Sequence, residues 1–183
     1  MTSQLRSAEF DTRPVPEPPS TSVAPQDVGL LVLRLTLGVI LAAHGTQKLF
    51  GWFGGNGIDG TGRFFQASGY PAPEFMATVA GLIETGGGIA LALGLLTPLA
   101  AAAVLGNMVN AVAVGWAGGF FAPTGIEFPL LLACAAGALA LSGPGRFSVD
   151  RSLPVLRVHR LGYGASAVAL ALITAGIFLA MRN

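Results

Sequence analysis

Three ionisable side chains lie in or beside the first long apolar stretch of the chain, residues 28–50. Arg34 and His44 fall inside this stretch, and Lys48 stands near its far end. On a helix that turns by about 100° per residue, the three side chains fall within a sector of about 80° and share one face. An ionisable group in mid-bilayer costs at least about 2.5 kcal/mol, so such groups usually face a bundle interior and mark a functional site. We therefore expect polar partners on other helices.

The candidate partners are Glu84, Asn107 and Asn110, which interrupt later apolar runs. If each helix rises 1.5 Å per residue from the inner membrane edge, Arg34 lies about 9 Å deep, Glu84 about 18 Å and His44 about 24 Å. The same arithmetic places the two asparagines about 14 and 18 Å deep. These depths predict a polar layer at the membrane midplane and outward of it. If Glu84 is ionised, Arg34 is its expected partner.

A layer of this kind could bind a quinone headgroup and exchange protons with it. A quinone presents two carbonyl groups that need only a few donors, while its tail lies between apolar helices. Histidine and a buried carboxyl group both carry protons near neutral pH. We predict Glu84 and His44 as catalytic residues, and as the cofactor-binding residues Arg34, His44, Lys48, Asn107 and Asn110. A purely structural interpretation stays open, in which Arg34 reaches the headgroups and the asparagines join helices.

Other cofactors are not predicted. Cys134 is the only cysteine, so one chain can form neither an internal disulfide nor a cysteine-built metal site, and we expect this residue to be inert. The two histidines, His44 and His159, would lie on opposite sides of the polar layer, so we predict no bound haem. There is no metal-ligand or nucleotide-binding motif and no self-contained catalytic centre, so any electrons must come from a partner.

Composition defines the class of protein that positions these residues. The 183 residues are 52% hydrophobic and 10% charged, with a mean hydropathy of +0.67, whereas soluble domains are about 25% charged. The fold class predicted is all-α, a polytopic transmembrane helical bundle. The net charge of +1 says little about partners, because charges in a membrane protein matter by position, and no nucleic-acid surface is indicated.

Four segments follow from composition along the chain. Residues 1–26, rich in proline, are predicted to be a disordered cytoplasmic tail, and residues 27–150 a four-helix membrane core. Residues 151–161 are predicted to be a basic cytoplasmic linker, and residues 162–183 an additional C-terminal transmembrane helix. Within the core, the glycine-rich stretch 51–74 excludes a spanning helix. A short interfacial helix over 59–68 and an ordinary surface loop are both compatible with that stretch.

Basic residues predict the orientation. With a cytoplasmic N-terminus, six arginines lie inside against three basic residues outside, which favours a multi-pass membrane protein in that orientation. The inner set is Arg6, Arg13, Arg146, Arg151, Arg157 and Arg160, and the outer set is Lys48, Arg63 and Arg182. The last four inner arginines could also dock soluble proteins, although attraction to anionic lipid explains the same charge.

Several motifs together resemble the DoxX family of bacterial membrane proteins over about residues 29–150. They are HG-x-x-K from His44 to Lys48, GLIE ending at Glu84, EFPLLL at 127–132 and GPGRFS-x-D ending at Asp150. The resemblance implies a location in the bacterial plasma membrane and a four-helix core related to the DoxD subunit of thiosulfate:quinone oxidoreductase. It also implies that some members are membrane partners of a superoxide dismutase and a sulfurtransferase in thiol-oxidative stress defence.

Three function classes remain open on the sequence alone. The first is the membrane subunit of a quinone-linked or sulfur-linked redox complex, and the second is a non-catalytic anchor that assembles soluble redox enzymes. A small-solute transporter is the third, but no inverted repeat or broken helix supports it. A glycine series indicates close helix packing, with a homo-oligomer face as the alternative. Its members are Gly81, Gly86, Gly87, Gly88 and Gly94.

Overall fold

The computed structural model describes residues 24–153 and 161–183. Within these ranges there are six α-helices and no strand, so the predicted all-α class is confirmed. The helices are α1 Pro25–Phe50, α2 Gly57–Ala67, α3 Pro73–Leu93, α4 Thr97–Gly115, α5 Glu127–Ser142 and α6 Leu161–Ala180. Of the two alternatives for residues 59–68, a short helix and a surface loop, the helix is present as α2.

Four of these helices are long and apolar enough to cross a membrane: α1, α3, α4 with the turn that follows it, and α6. Helix α5 is apolar but only 16 residues long. A helix of 16 residues measures about 24 Å, so it crosses the hydrocarbon core only if it stands nearly upright.

Proline and glycine define the helix ends. Pro25, Pro73 and Pro98 stand in the first turns of α1, α3 and α4, where a missing N–H group costs nothing. Helix α1 thus begins two residues inside the predicted tail, whose remaining residues, 1–23, lie outside the described ranges. Most of the predicted basic linker, 154–160, also lies outside them.

Helices α1 and α3 pack closely in antiparallel directions through glycine. A Cβ atom at Gly38 would come within 2.5 Å of the Gly88 carbonyl oxygen, and one at Gly88 within 2.6 Å of the Gly38 oxygen. Seven residues later on α1, a Cβ atom at Gly45 would come within 2.7 Å of the carbonyl oxygen of Gly81, which lies seven residues before Gly88 on α3. By contrast, a Cβ atom at Gly86 would meet nothing within 4 Å. Close packing inside the chain therefore accounts for part of the glycine series.

Helix α4 lies between α3 on one side and α5 and α6 on the other. Gly106 of α4 packs on Ala171 of α6, and the Asn110 amide reaches the Ala175 carbonyl oxygen, so α4 and α6 run in the same direction. Helix α6 therefore ends where α1 and α4 end, beside α2. We call this the α2 end of the bundle, and the other the opposite end.

Candidate functional site

A cavity of about 650 Å³ lies inside the bundle and reaches the α2 end. All six helices contribute to its wall, which is mostly apolar, with residues such as Leu41, Ile83, Met108, Leu132 and Phe178. The polar side chains that line it are His44, Lys48, Thr61, Tyr70, Glu84, Asn107, Asn110, Thr124 and Thr174. Five of the six sequence-predicted site residues are thus brought to one cavity.

Glu84 is the centre of the polar group. It is 3% exposed, and its Oε2 atom lies 2.5 Å from the Lys48 Nζ atom. Its other oxygen, Oε1, accepts a hydrogen bond of 2.9 Å from the Asn107 amide. The glycine contacts between α1 and α3 fix the position along the helix axis at which Lys48 lies beside Glu84. The antiparallel pairing of α3 with α4 likewise brings Asn107 level with Glu84. Both carboxylate oxygens consequently have a donor.

A second polar pair joins Tyr70 to Asn110. The Tyr70 hydroxyl donates a 2.8 Å hydrogen bond to Asn110 Oδ1, and the Asn110 amide donates to the Gly106 carbonyl oxygen at 3.0 Å. Sequence reasoning did not include Tyr70 in the site. The residue type could have indicated it. A tyrosine in a glycine-rich connection either lies at the lipid headgroups or, when buried, needs a hydrogen-bond partner for its hydroxyl group.

The C-terminal end of α6 holds the connection that carries Tyr70. Arg182 Nε donates to the Ser68 carbonyl oxygen at 2.9 Å, and the Asn183 N–H group donates to the Gly69 carbonyl oxygen at 3.0 Å. The Arg182 guanidinium also lies 5.3 Å from the centre of the Tyr70 ring. Burial raises the pKa of the Tyr70 phenol, while the nearby Arg182 charge opposes this shift. Tyr70 is therefore kept neutral beside the cavity.

His44 lies on the cavity wall one turn before Lys48. Its ring is centred 5.5 Å from the Phe128 ring, at an angle of 50°. Within residues 24–153 and 161–183, its imidazole has no hydrogen-bond partner. The ring is thus available to a molecule in the cavity.

Arg34 lies apart from this group. It is 0% exposed, its Nη2 atom donates to the Phe147 carbonyl oxygen, and it packs against Gly94 in the turn between α3 and α4. Asp150 is the carboxylate that acts on it electrostatically. The predicted pairing of Arg34 with Glu84 is wrong, and Arg34 does not line the cavity with the other predicted cofactor-binding residues. Lys48 follows Arg34 by 14 positions, which separates them by about 21 Å along α1.

Asp150 organises the opposite end of the bundle. Its two oxygens accept hydrogen bonds from the Leu96 and Thr97 N–H groups, at 2.7 and 2.9 Å. These are otherwise unpaired donors at the start of α4, so Asp150 caps that helix. Arg34 thus ties α1 to the segment after α5, and Asp150 ties that segment to the start of α4. These contacts indicate a structural role for both residues.

No cluster of three or more histidine, cysteine, aspartate or glutamate side chains suited to a metal ion occurs among the described residues. Cys134 is exposed on the outer face of α5. His159 lies outside the described ranges, so its predicted distance from His44 has no structural counterpart.

Comparison with known proteins identifies the family. A model of the DoxX family matches residues 29–117. The inner membrane protein YqjF of Escherichia coli (strain K12) is 30% identical over 130 residues, which are 70% of this chain and 94% of the relative. The chain belongs to the DoxX family. The family match covers α1 to α4, and hence includes Glu84, Lys48 and Asn107.

Two further relatives share this similarity. An uncharacterised membrane protein of Mycobacterium tuberculosis, Rv3486, is 33% identical over 138 residues, covering 68% of this chain and 80% of the relative. A Bacillus subtilis (strain 168) protein named "Putative oxidoreductase CatD" is 31% identical over 124 residues, covering 68% of this chain and 86% of the relative. No solved structure matches. Together with four helices able to span, the inner membrane relatives identify this DoxX protein as a multi-pass membrane protein.

Proposed function

We propose that this DoxX protein is the membrane subunit of a quinone-linked redox complex, and that the cavity binds the quinone headgroup. The observation that supports this best is the joined set of Lys48, Glu84 and Asn107 inside a largely apolar cavity of about 650 Å³. Ligand cavities of small molecules measure about 300–1,000 Å³, with apolar walls and a few convergent polar groups. The name of the Bacillus subtilis relative includes the word oxidoreductase, which favours redox chemistry over other uses of such a cavity.

The headgroup fits the donors that the cavity presents. The Lys48 ammonium has three N–H donors, of which the Glu84 carboxylate needs one, and the Asn107 amide has a second N–H beside the one that it donates to Glu84. The His44 imidazole adds one N–H. Two carbonyl oxygens of a quinone can each accept from this set, while its tail lies along the apolar wall towards α6.

Proton handling falls to the same residues. A bound quinone supplies a two-electron acceptor, and its reduction also consumes two protons. Glu84 and His44 face the cavity and can each hold and release one proton, with Lys48 and Asn107 keeping the carboxylate oriented. A soluble partner enzyme supplies the electrons. Superoxide dismutase and sulfurtransferase are the classes of partner implied by the resemblance.

The direct test is to purify the protein in mild detergent and measure quinone in its lipid extract by mass spectrometry. The parent should retain quinone. The Asn107→Leu variant, in which an apolar side chain of similar size replaces the amide, should fold but retain much less quinone. Cys134→Ser is the matched control, because this exposed side chain is outside the cavity, and it should retain quinone like the parent. A folded parent without quinone would contradict the proposal and favour the anchor and assembly role.

A further inference from the structure

A second, smaller cavity lies outside the first at the α2 end. Its volume is about 320 Å³, and it is bounded by the end of α1, the 54–56 connection and the first turns of α2. Gly55 makes it possible: a Cβ atom there would come within 2.5 Å of the Gln47 carbonyl oxygen, so only glycine lets this connection lie so close to α1. Gly54 and Asn56, which are exposed, lie on its rim. We call it the outer hollow.

Three residues separate the outer hollow from the main cavity, because they line both: Lys48, Thr61 and Phe64. The Lys48 side chain is 29% exposed, whereas that of Glu84, 2.5 Å further in, is 4% exposed. Thr61 is buried at 9%. Lys48 therefore stands at the partition, with its ammonium group paired to a carboxylate that lines only the main cavity.

The other polar neighbours of Glu84 do not line the outer hollow. Asn107 from α4 donates an amide N–H and cannot carry a proton. His44 lies on the wall of the main cavity and is absent from the hollow, as is Tyr70. The residues that α5 and α6 contribute to the main cavity are uncharged. Lys48 is thus the titratable group that touches both compartments.

We propose that the outer hollow is a water entrance, through which Glu84 exchanges protons with one side of the membrane by way of Lys48. The Lys48 ammonium passes a proton along its 2.5 Å contact to the Glu84 carboxylate, and the resulting amine takes a proton from a hydronium ion in the hollow, which leaves water. One proton enters for each proton passed inward. The inference rests on the proposed function only for the use that is made of these protons. The topology predicted from the basic residues places the hollow on the side of the membrane opposite the cytoplasm.

Cysteine accessibility tests the entrance without any assay of activity. In a Cys134→Ser background, Thr61→Cys should react readily with a charged, membrane-impermeant thiosulfonate, because Thr61 lines the hollow. Ala80→Cys lines only the main cavity and should react much more slowly. Leu82→Cys is the matched control: Leu82 is 58% exposed but lies on a spanning helix outside both cavities, where a charged reagent does not partition. The three variants should keep the parent melting temperature.

Each result decides the inference. It is supported if Thr61→Cys reacts several-fold faster than both other variants, from one membrane face only. It is overturned if Thr61→Cys reacts no faster than Leu82→Cys, if Ala80→Cys reacts equally fast, or if the reagent reaches Thr61→Cys from both faces. Quinone content is measured on the same preparations. A reactive Thr61→Cys in protein without quinone rejects the proposed function but not the entrance, and the reverse result rejects the entrance alone.

Discussion

At the scale of single residues, Lys48 and Glu84 differ in their access to water. The Lys48 side chain is 29% exposed and can turn its charge outward if its partner is lost, whereas Glu84 is 4% exposed and cannot. Breaking a buried pair is costly because it leaves one charge uncompensated, while replacing both partners with apolar residues is often neutral. The two single substitutions should therefore have unequal costs.

We expect Lys48→Met to lower the melting temperature in detergent more than Glu84→Leu does. The loss of unfolding free energy in Lys48→Met should reach up to about 3 kcal/mol. The Lys48→Met/Glu84→Leu double variant should recover most of the loss without recovering quinone. As a control, Arg34→Leu and Glu84→Leu should combine additively, because Arg34 contacts Phe147 and Gly94 instead. Coupling between Arg34 and Glu84, or none between Lys48 and Glu84, would contradict the site described above.

Sequence reasoning located most of the candidate site but not its pairing. His44, Lys48, Glu84, Asn107 and Asn110 were identifiable because polar groups are rare in apolar runs. A helical face gives an angle around one helix, but it does not say which turn of the next helix lies alongside. Arg34 shares a face with Lys48 but lies about 21 Å from it along α1, so its expected pairing with Glu84 was wrong.

At the scale of helices, the α1 and α3 interface determines whether the site forms. Gly38 and Gly88 bring the two backbones into contact, and this contact fixes Lys48 of α1 beside Glu84 of α3. Interfaces between membrane helices depend on small residues for such close approach. The helix bounds themselves followed well from sequence, because long apolar runs end at proline and glycine. The helix α2 remained ambiguous, since Gly60 and Gly62 weaken helix formation.

Substitution of one glycine on α3 should therefore have an effect that depends on its face. Gly88→Leu should lower the yield of folded protein strongly, because the side chain would push α1 away. Gly86→Leu, two residues earlier, should have little effect, since a Cβ atom there meets nothing within 4 Å. The measurement is the folded fraction by size-exclusion chromatography in detergent. Equal behaviour of the two variants would contradict the described packing, and loss with Gly86→Leu alone would indicate a homo-oligomer face.

At the scale of the whole molecule, the bundle has two chemically different ends. The α2 end holds Tyr70, Lys48 and the C-terminal end of α6, and the polar cavity opens there. The opposite end contains Arg34 and Asp150 in a structural connection. The count of basic residues predicts that the opposite end faces the cytoplasm.

This orientation can be measured by cysteine labelling in intact cells, using a Cys134→Ser background. Gly57→Cys, Thr124→Cys and Asn183→Cys lie in or beside connections at the α2 end and should be labelled from outside. Ser152→Cys, near the opposite end and exposed, should be labelled only after lysis. Labelling of Ser152→Cys alone in intact cells would reverse the orientation. Labelling of Gly57→Cys but not Asn183→Cys would contradict the crossing of the membrane by α6.

The central claim is that a quinone binds in the cavity beside Lys48, Glu84 and Asn107. Crosslinking the purified protein with a photoreactive quinone analogue, followed by peptide mass spectrometry, tests it most directly. The account predicts adducts on cavity residues such as Met76, Met108 and Phe128, which excess unlabelled quinone and Asn107→Leu both reduce. Adducts spread over exposed residues such as Val32 and Val39 of α1, unaffected by competitor or by Asn107→Leu, would contradict it.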